Sequence, residues 1–244
     1  MMDGSGVKEF KAALEKPLVV SVDGVARLVM PKEWTTLGRR QTRQPASLPL
    51  NNLTGMCSYI RRKIQDFAKS DVMLLVLGPD VVSLVGGLET ELDGRGRPEF
   101  ATSKCRPSEF AFGRYYDHES FLIALRSMFK QTDHRGAMLD LLASISDSAV
   151  RESLDNGIAQ RVVVQRGLTT KEHLEVKNPW DLKPFRTFRE VEQPTSEFIL
   201  RLKEAEGMPM CALFEADGGV WREEAIASIV SYLDAQSLDV AVIG

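Results

Sequence analysis

The stretch that decides the fold is KPFRTFREVEQPTSEFILRLKEAEGMPMCALFEADGGVWREEAIASIVSYL, which runs from Lys183 to Leu233. It contains three short apolar runs, Phe185–Val191, Glu197–Leu202 and Met210–Phe214, separated by turn-forming residues. Short apolar runs bounded by turn residues are typical of strands. Apolar residues at three- and four-residue spacing then predict one amphipathic helix over Val220–Leu233.

The rest of the chain predicts the same mixture of strands and helices. Strands are predicted at Leu18–Val22, Ala26–Met30, Val72–Leu77, Val81–Leu88, Glu99–Ser103 and Ile158–Gln165, with turns at Asp23-Gly24, Gly78-Pro79-Asp80, Asp93-Gly94-Arg95-Gly96 and Asp155-Asn156-Gly157. Helices are predicted over Val7–Leu14, from Leu53 to Phe67 after an N-cap at Asn51 or Asn52, from Asp117 to Phe129, and over Met138–Ile145 after a break at His134-Arg135-Gly136. Blocks of strands and helices without βαβ alternation indicate an α+β fold with largely antiparallel sheets and about four helices.

The chain of 244 residues is long enough for one large domain or two small ones. A polar stretch from Pro31 to Ser47 predicts a loop or linker. We expect a flexible leader or short helix at residues 1–17, one α+β sub-domain at residues 18–115 and another at residues 116–244, with a possible further division near Leu168. A single compact domain over residues 18–244 is the alternative.

Composition indicates an ordinary soluble protein, since 43% of the residues are hydrophobic and 27% are charged. No apolar run approaches the roughly 20 residues that span a bilayer, so no membrane partner is expected. The first residues, MMDGSG, lack the features of a secretory signal. Cys57, Cys105 and Cys211 form no CxxC pair, so neither disulfides nor a zinc site is indicated. A cytoplasmic protein without metal or cofactor is the prediction.

The search for catalytic residues yields no constellation. The sequence lacks GxSxG, GxxxxGK[ST], GxGxxG and HExxH, and no two of its three histidines have metal-ligand spacing. Glu215 and Asp217 precede the last predicted helix and are interpreted as turn and capping residues rather than metal ligands. Cys105 lies between Lys104 and Arg106, which are expected to lower the pKa of its thiol. A protein without enzymatic activity and without catalytic residues is the expectation.

Basic residues favour nucleic-acid binding as one function. Residues 1–115 carry 17 Lys and Arg against 13 Asp and Glu, whereas residues 116–244 carry 14 against 21. The basic side chains that would follow a phosphate backbone are Arg39, Arg40, Arg43, Arg61, Arg62, Lys63, Lys104 and Arg106. The aromatic side chains that would stack on the bases of a single strand are Trp34, Tyr59, Tyr115 and Tyr116. The corresponding partner is single-stranded nucleic acid or a nucleotide.

Self-assembly is the hypothesis that the sequence favours over nucleic-acid binding. The predicted meander and the C-terminal sheet offer exposed edge strands, which pair with other chains unless they are covered. The two halves of the chain have opposite net charge, which favours head-to-tail contacts that close into rings or cages. The expected partner is therefore a second copy of the chain in a homo-oligomer.

Several stretches resemble known phage proteins. LKPFRTFREVEQPTSEFILRL, CALFEADGGVWREEAIASIVSYL and the upstream FAFGRYYDHESFLIAL are similar to a family of uncharacterised proteins of tailed phages and prophages, often encoded in early-region gene blocks. VVSVDGVARLVMP, LNNLTGMCSYI and MLLVLGPDVVSLV are similar in order and character to the YfdQ-type prophage proteins, a domain of unknown function. The resemblance implies an accessory role in the cytoplasm of a host bacterium, and it carries over no catalytic residue.

Overall fold

The computed structural model describes residues 18–22, 25–29, 46–63, 68, 71–91, 94–107, 109–145, 149–155, 160–166 and 170–244. Contacts divide the chain into two units, Met1–Ala46 and Ser47–Gly244. In the first unit, the described residues form one antiparallel pair, β1 (Leu18–Val22) with β2 (Val25–Val29). The second unit contains all the elements that form the site.

The described part of the second unit has four helices: α1 (Leu53–Arg61), α2 (His118–Met128), α3 (Asp133–Ala143) and α4 (Trp221–Ala235). Its strands are β3 (Leu48–Leu50), β4 (Val72–Gly78), β5 (Val81–Gly86), β6 (Glu89–Glu91), β7 (Gly94–Gly96), β8 (Glu99–Lys104), β9 (Tyr116–Asp117), β10 (Ala149–Asp155), β11 (Gln160–Arg166), β12 (Thr170–Val176), β13 (Trp180–Leu182), β14 (Ser196–Ala205), β15 (Met208–Glu215) and β16 (Ala241–Ile243). The α+β class with largely antiparallel pairing is confirmed.

A five-stranded sheet with the order β16-β4-β5-β8-β3 forms the first layer. The predicted antiparallel meander is its centre, β4, β5 and β8. Both outer strands of this meander are partly covered, because β16 pairs in parallel with three residues of β4 and β3 with three residues of β8. The exposed edge strands predicted for the meander are therefore covered along three residues each, and the outermost strands of the sheet are three residues long.

One face of this sheet packs against α1 and α4. Leu74 and Leu84 are fully buried there, together with Ile60 of α1 and Ile229 and Leu233 of α4. Alternate residues of a strand point to opposite faces, so the burial of Val72, Leu74 and Val76 fixes which face of β4 meets the helices. We call this cluster the first core.

A four-stranded sheet with the order β13-β14-β15-β9 forms the second layer and packs against α2 and α3. Its buried side chains include Phe198, Leu200 and Leu213, which pack with Phe121 and Leu125 of α2 and with Met138 and Leu142 of α3. The imidazole Nε2 of His118 lies 2.9 Å from the carbonyl oxygen of Leu142 and links the two helices. We call this cluster the second core.

Two of the helix starts agree with the sequence prediction and one does not. The side chains of Asn52 and Asp117 accept hydrogen bonds from the backbone N–H of Gly55 (2.7 Å) and Ser120 (2.8 Å), which confirms both caps. The break predicted at His134-Arg135-Gly136 is wrong, because α3 begins at Asp133. Its N-cap is Thr132, whose hydroxyl accepts from the N–H of Arg135 at 3.2 Å.

Other local differences concern turns and apolar runs. Gly94–Gly96, predicted as a turn, forms strand β7, which pairs with β6. Phe185–Val191, predicted as a strand from its apolar residues, does not form one. The predicted helix Val7–Leu14 and the central turn residues Asp23-Gly24 and Asn156-Gly157 lie outside the described residues.

The C-terminus returns to the first half of the chain. β16 pairs with β4, and α4 packs on the same sheet. The boundary predicted near Tyr115 would thus place β4 and β16, which pair with each other, in different sub-domains. The division between the two units of the structure falls instead between Ala46 and Ser47.

The segment from Lys183 to Thr195, which we call the bridging loop, connects β13 to β14, contributes to the first core and is hydrogen-bonded to α2. Its buried Phe188 and Val191 belong to the first core, and its N–H at Phe185 donates to the carbonyl of Met128 in α2 at 2.8 Å. The side chain of Gln193 is only 3% exposed, and its amide forms hydrogen bonds with the backbone of the same loop. Its Oε1 accepts from the N–H groups of Arg186 (3.0 Å) and Thr187 (3.2 Å), and its Nε2 donates to the carbonyl of Phe188 (3.0 Å).

Replacing Gln193 with alanine is expected to destabilise the protein. Gln193→Ala leaves the N–H groups of Arg186 and Thr187 without partners and removes one of the hydrogen bonds to the carbonyl of Phe188, which we expect to lower the free energy of unfolding by about 2–4 kcal/mol. Urea unfolding followed by circular dichroism measures the change. Gln131→Ala, at an exposed glutamine, is the control and should change the free energy by less than about 0.5 kcal/mol. Equal stability of the two variants would contradict the role given to Gln193.

Candidate functional site: a basic groove between the two cores

Two cavities lie side by side where the bridging loop passes between the cores, and together we call them the groove. Their volumes are about 560 and 490 Å³. They share Phe185 and the segment Lys104–Pro107, which we call the rib. The first cavity is lined further by residues that include Phe112, Arg186, Glu215, Trp221 and Arg222, and the second by residues that include Asn51, Asn52, Thr187, Phe188 and Arg189.

The rib is fixed at its start by the first sheet. Lys104 is the last residue of β8, and the N–H of Cys105 donates to the carbonyl of Asp80 at 3.0 Å. Asp80 belongs to the turn that joins β4 to β5, so the backbone of the rib follows the end of the sheet. The side chains of Lys104 and Arg106 are exposed.

Arg186 of the bridging loop is the most constrained cation of the groove. Its side chain is only 9% exposed, and its Nη1 donates to Glu215 Oε1 at 2.5 Å. Its Nη2 donates to the hydroxyl of Ser196. The guanidinium carbon lies 4.0 Å from the centre of the Trp221 ring, and Arg222 lies 4.8 Å from the same ring centre. Trp221 is therefore in contact with two cations, an arrangement in which the π electrons stabilise positive charge.

Burial and two nearby carboxylates have opposite effects on the pKa of Arg186. Burial lowers the pKa of Arg186 to about 10, because it removes water from the guanidinium, while Glu215 and Asp217 oppose that effect. Burial raises the pKa of Asp217, but hydrogen bonds from Ser196 and from the N–H of Gly219, together with the charge of Arg186, outweigh it and lower that pKa. Arg186 is thus cationic and Asp217 anionic at neutral pH.

Two buried donors of this wall have no partner within the described residues. They are Arg186 Nε and Trp221 Nε1. A buried N–H without an acceptor costs about 1–3 kcal/mol, and such groups are rare in folded proteins. Both residues line the first cavity.

The second cavity is bounded by α1 and by Arg189. The carboxylate of Glu190 accepts from the backbone N–H of Thr54 at 3.1 Å and from its hydroxyl at 3.3 Å, so it occupies the N-terminal end of α1. Arg189 is exposed, and its guanidinium carbon lies 5.0 Å from the centre of the Phe185 ring.

The balance of charge in the groove is positive by one, because the linings of the two cavities contain five cations and four carboxylates, Asp80, Glu109, Glu190 and Glu215. Glu215 is paired with Arg186, and Glu190 is bound to the end of α1. In the described part of the chain, Lys104, Arg106 and Arg222 form no ion pair with a carboxylate. Exposed cations without a partner are available to bind an anion.

The residues predicted to bind nucleic acid fall into three groups. Arg39, Arg40 and Arg43 lie outside the described residues. Lys104 and Arg106 line the groove. Arg61, Arg62 and Lys63 lie at the C-terminal end of α1, about 14 Å along the helix from the end that borders the groove. Arg61 donates there to the backbone and side chain of Gln236.

Of the aromatic residues predicted to stack on bases, Trp34 lies outside the described residues and the three tyrosines have other contacts. Tyr59 is 3% exposed in the first core. Tyr116 stacks on Phe110, with ring centres 5.0 Å apart, and Tyr115 contacts Lys203 and Phe214. The prediction of a stacking surface is wrong for Tyr59, because the apolar face of α1 carries this ring into the core.

Sequence reasoning missed Arg186, Arg189 and Trp221. A signal existed in the alternation of arginine and phenylalanine in PFRTFR, residues 184–189, a pattern that combines cations with flat apolar surfaces. The phenylalanines of that run contribute to the predicted strand Phe185–Val191. Its Phe188 is indeed core, but its arginines line the groove.

Glu215 and Asp217 act as ion-pair and turn residues. Asp217 Oδ1 accepts from the N–H of Gly219 at 3.0 Å, and the N-cap residue of α4, Val220, forms no side-chain cap. The predicted helix-capping role is therefore wrong. Among the described side chains, no group of three or more His, Cys, Asp and Glu could hold a metal ion. Within the same residues, no helix has the length and apolar character needed to cross a membrane.

The chemistry predicted for Cys105 is wrong. Burial and the nearby Asp80 raise the pKa of its thiol to about 11, and the opposing effect of Lys104 is smaller. Cys57 and Cys211 are buried. Cys105 is the only one of the three cysteines that is partly exposed, and it lies on the rib between the two cavities.

Alkylation of Cys105 is expected to be slow and strongly dependent on pH. With a thiol pKa raised to about 11, the reactive thiolate is about 0.1% of the total at pH 8 and grows about tenfold per pH unit up to pH 10. Iodoacetamide labelling followed by intact-protein mass spectrometry should give a single adduct with that slope. Cys105→Ser should remove the adduct. Rapid labelling at pH 7 would contradict the raised pKa.

Comparisons with known proteins add nothing to this description. No family model, curated protein or solved structure matches the chain. The resemblance to phage and prophage proteins stays a prediction. The function proposed below therefore rests on the geometry of the groove.

Proposed function

We propose that the protein is a non-enzymatic binding protein that holds a nucleotide in the groove between its two cores. The observation that carries the proposal is the convergence of five cationic side chains on two adjoining cavities, with aromatic rings among them. These cations are Lys104, Arg106, Arg186, Arg189 and Arg222. In the context of a phage or prophage, such a protein would act in the cytoplasm of the host bacterium.

The exposed cations of the groove suit the phosphate of a nucleotide. Arginine offers a planar set of donors that matches phosphate oxygens, and lysine adds a mobile positive charge. The unpaired Lys104 and Arg106 stand on the rib, where a phosphate would reach both. The guanidinium of Arg186 already donates to Glu215 and Ser196. Arg186 therefore contributes positive charge to the wall of the groove and does not bind the phosphate directly.

Apolar surface beside these cations suits a base. Phe112 and Met128 line the first cavity, Phe188 lines the second, and Phe185 borders both. Small-molecule sites typically combine apolar walls with a few polar groups that fix orientation. The residues lining the groove include no histidine, and the pKa of the one thiol is raised to about 11. This lining favours binding without chemistry.

Removing the two cations of the rib is expected to abolish tight nucleotide binding. Lys104→Ala with Arg106→Ala should raise the Kd for AMP, measured by isothermal titration calorimetry, by at least about tenfold. One charge-assisted hydrogen bond contributes about 1.5–3 kcal/mol, and about 1.4 kcal/mol is a factor of ten. Both side chains are exposed, so the variant should remain folded.

The matched control removes two charges from the far end of α1. Arg62→Ala with Lys63→Ala changes the net charge by the same amount and should leave the Kd within about twofold. Binding of wild type should also weaken as salt is raised, since exposed charges are screened. Failure of AMP, GMP, CMP and UMP to bind the wild-type protein at millimolar concentration would overturn the proposal.

A second candidate function is self-assembly into a homo-oligomer. The observation that favours it is the face of the five-stranded sheet opposite α1 and α4. Leu77 is 64% exposed and Ile243 52% exposed on that face, beside the partly buried Met73 and Leu75. Ile243 pairs with Leu75, so these side chains are neighbours. Contiguous exposed apolar side chains often mark protein interfaces.

Light scattering on the purified protein tests this second candidate. If that face joins subunits, the wild-type mass at 50 µM should be a multiple of 27.2 kDa. Leu77→Asp with Ile243→Asp should return it to 27.2 kDa, because two charges would be buried in the interface. Met208→Asp, at an exposed apolar residue of the other sheet, is the control. A monomeric wild-type protein would refute assembly through this face.

A further inference from the structure

We propose that the ligand of the groove is a dinucleotide, with one nucleoside in each cavity and the linking phosphate on the rib. This inference rests on the proposed function and makes it more specific. The observation behind it is the division of the groove into two cavities of similar volume by a rib that carries two exposed cations.

The size of each cavity suits one nucleoside. Their volumes of about 560 and 490 Å³ each fall in the range of about 300–1,000 Å³ that is usual for small-ligand sites. A mononucleotide placed in either cavity leaves the other without an occupant. A ligand with two planar groups joined by a short anionic link fits the whole groove.

The charges place the anionic link at the rib. Lys104 and Arg106 are the charged residues common to both linings. They are exposed and have no ion pair with a described carboxylate. A phosphate over the rib would therefore meet two cations from either side, whereas Cys105 between them is a neutral thiol at pH 7 because its pKa is raised to about 11.

Each cavity adds one further exposed cation and its own polar groups. Arg222 belongs to the first cavity, beside the ring of Trp221. Arg189 belongs to the second, beside Asn51 and Asn52. Asn52 uses its Oδ1 to cap α1, which leaves its amide N–H₂ as a donor for the edge of a base. The two cavities thus offer different recognition chemistry, as expected for two subsites.

The ends of the groove disfavour a longer strand. Glu190 lines the second cavity, and Asp80 and Glu109, which form no ion pair with a described cation, line the first. A phosphate backbone that continued past either nucleoside would approach these carboxylates, and like charges repel. We therefore infer a short ligand with two bases rather than single-stranded nucleic acid.

Calorimetric titration with ligands of increasing length tests the inference. The dinucleotide pApA is expected to bind at least about tenfold more tightly than AMP, because its second nucleoside binds as an intramolecular step. The octanucleotide of deoxyadenosine should bind no more tightly than pApA. Bound pApA should also slow iodoacetamide labelling of Cys105 at pH 9.

Two single variants separate the cavities. Arg222→Ala and Arg189→Ala should each weaken pApA binding about tenfold or more, but should change AMP binding less than threefold, because AMP can still occupy the other cavity. Arg62→Ala, at the far end of α1, should affect neither ligand.

The possible outcomes distinguish this inference from the proposed function. Equal affinity for AMP and pApA would overturn the dinucleotide assignment and leave nucleotide binding intact. Affinity that rises with strand length up to the octanucleotide would overturn it in favour of single-stranded nucleic acid. Absence of binding for AMP, pApA and the octanucleotide alike would overturn both the inference and the proposed function.

Discussion

The amide of Gln193 is the interaction on which the groove depends. It satisfies the N–H groups of Arg186 and Thr187 and the carbonyl of Phe188 at one buried point. A loop that runs through the interior has no strand partner for these groups, and leaving them unpaired would be costly. One side chain thereby replaces the hydrogen bonds of a strand. Phe188 can then pack in the first core while Arg186 lines the groove.

The position of Arg186 explains why the groove keeps a positive wall. A buried guanidinium is stable only when its lost hydration is replaced. Glu215 and Ser196 provide hydrogen bonds, and Trp221 provides a ring face. Glu215 and Ser196 lie at the ends of two paired strands and Trp221 begins α4, so the charge also ties the second sheet to the helix of the first core. The same contacts that stabilise the junction of the two cores define the first cavity.

Much of the fold was predictable because its signals are local. The caps at Asn52 and Asp117 and the strands β4, β14 and β15 follow from residues close together in the sequence. The site was predictable only in part. Lys104 and Arg106 were identified as basic residues, but nothing in the sequence separates them from Arg61, Arg62 and Lys63. The distance between these two groups is set by the length and direction of α1, which depend on packing.

The sequence by itself determined the α+β class, the amphipathic faces of α1 and α2, and the N-caps of these two helices, since each of these depends on periodicity or on neighbours within a few residues. The tertiary structure decided the rest. It brought β16 beside β4, placed residues 184–189 against residues 104–107, and turned the environment of Cys105 from cationic to desolvated. These features join residues far apart in the chain, and burial and charge at such contacts depend on which segments meet, which periodicity does not encode.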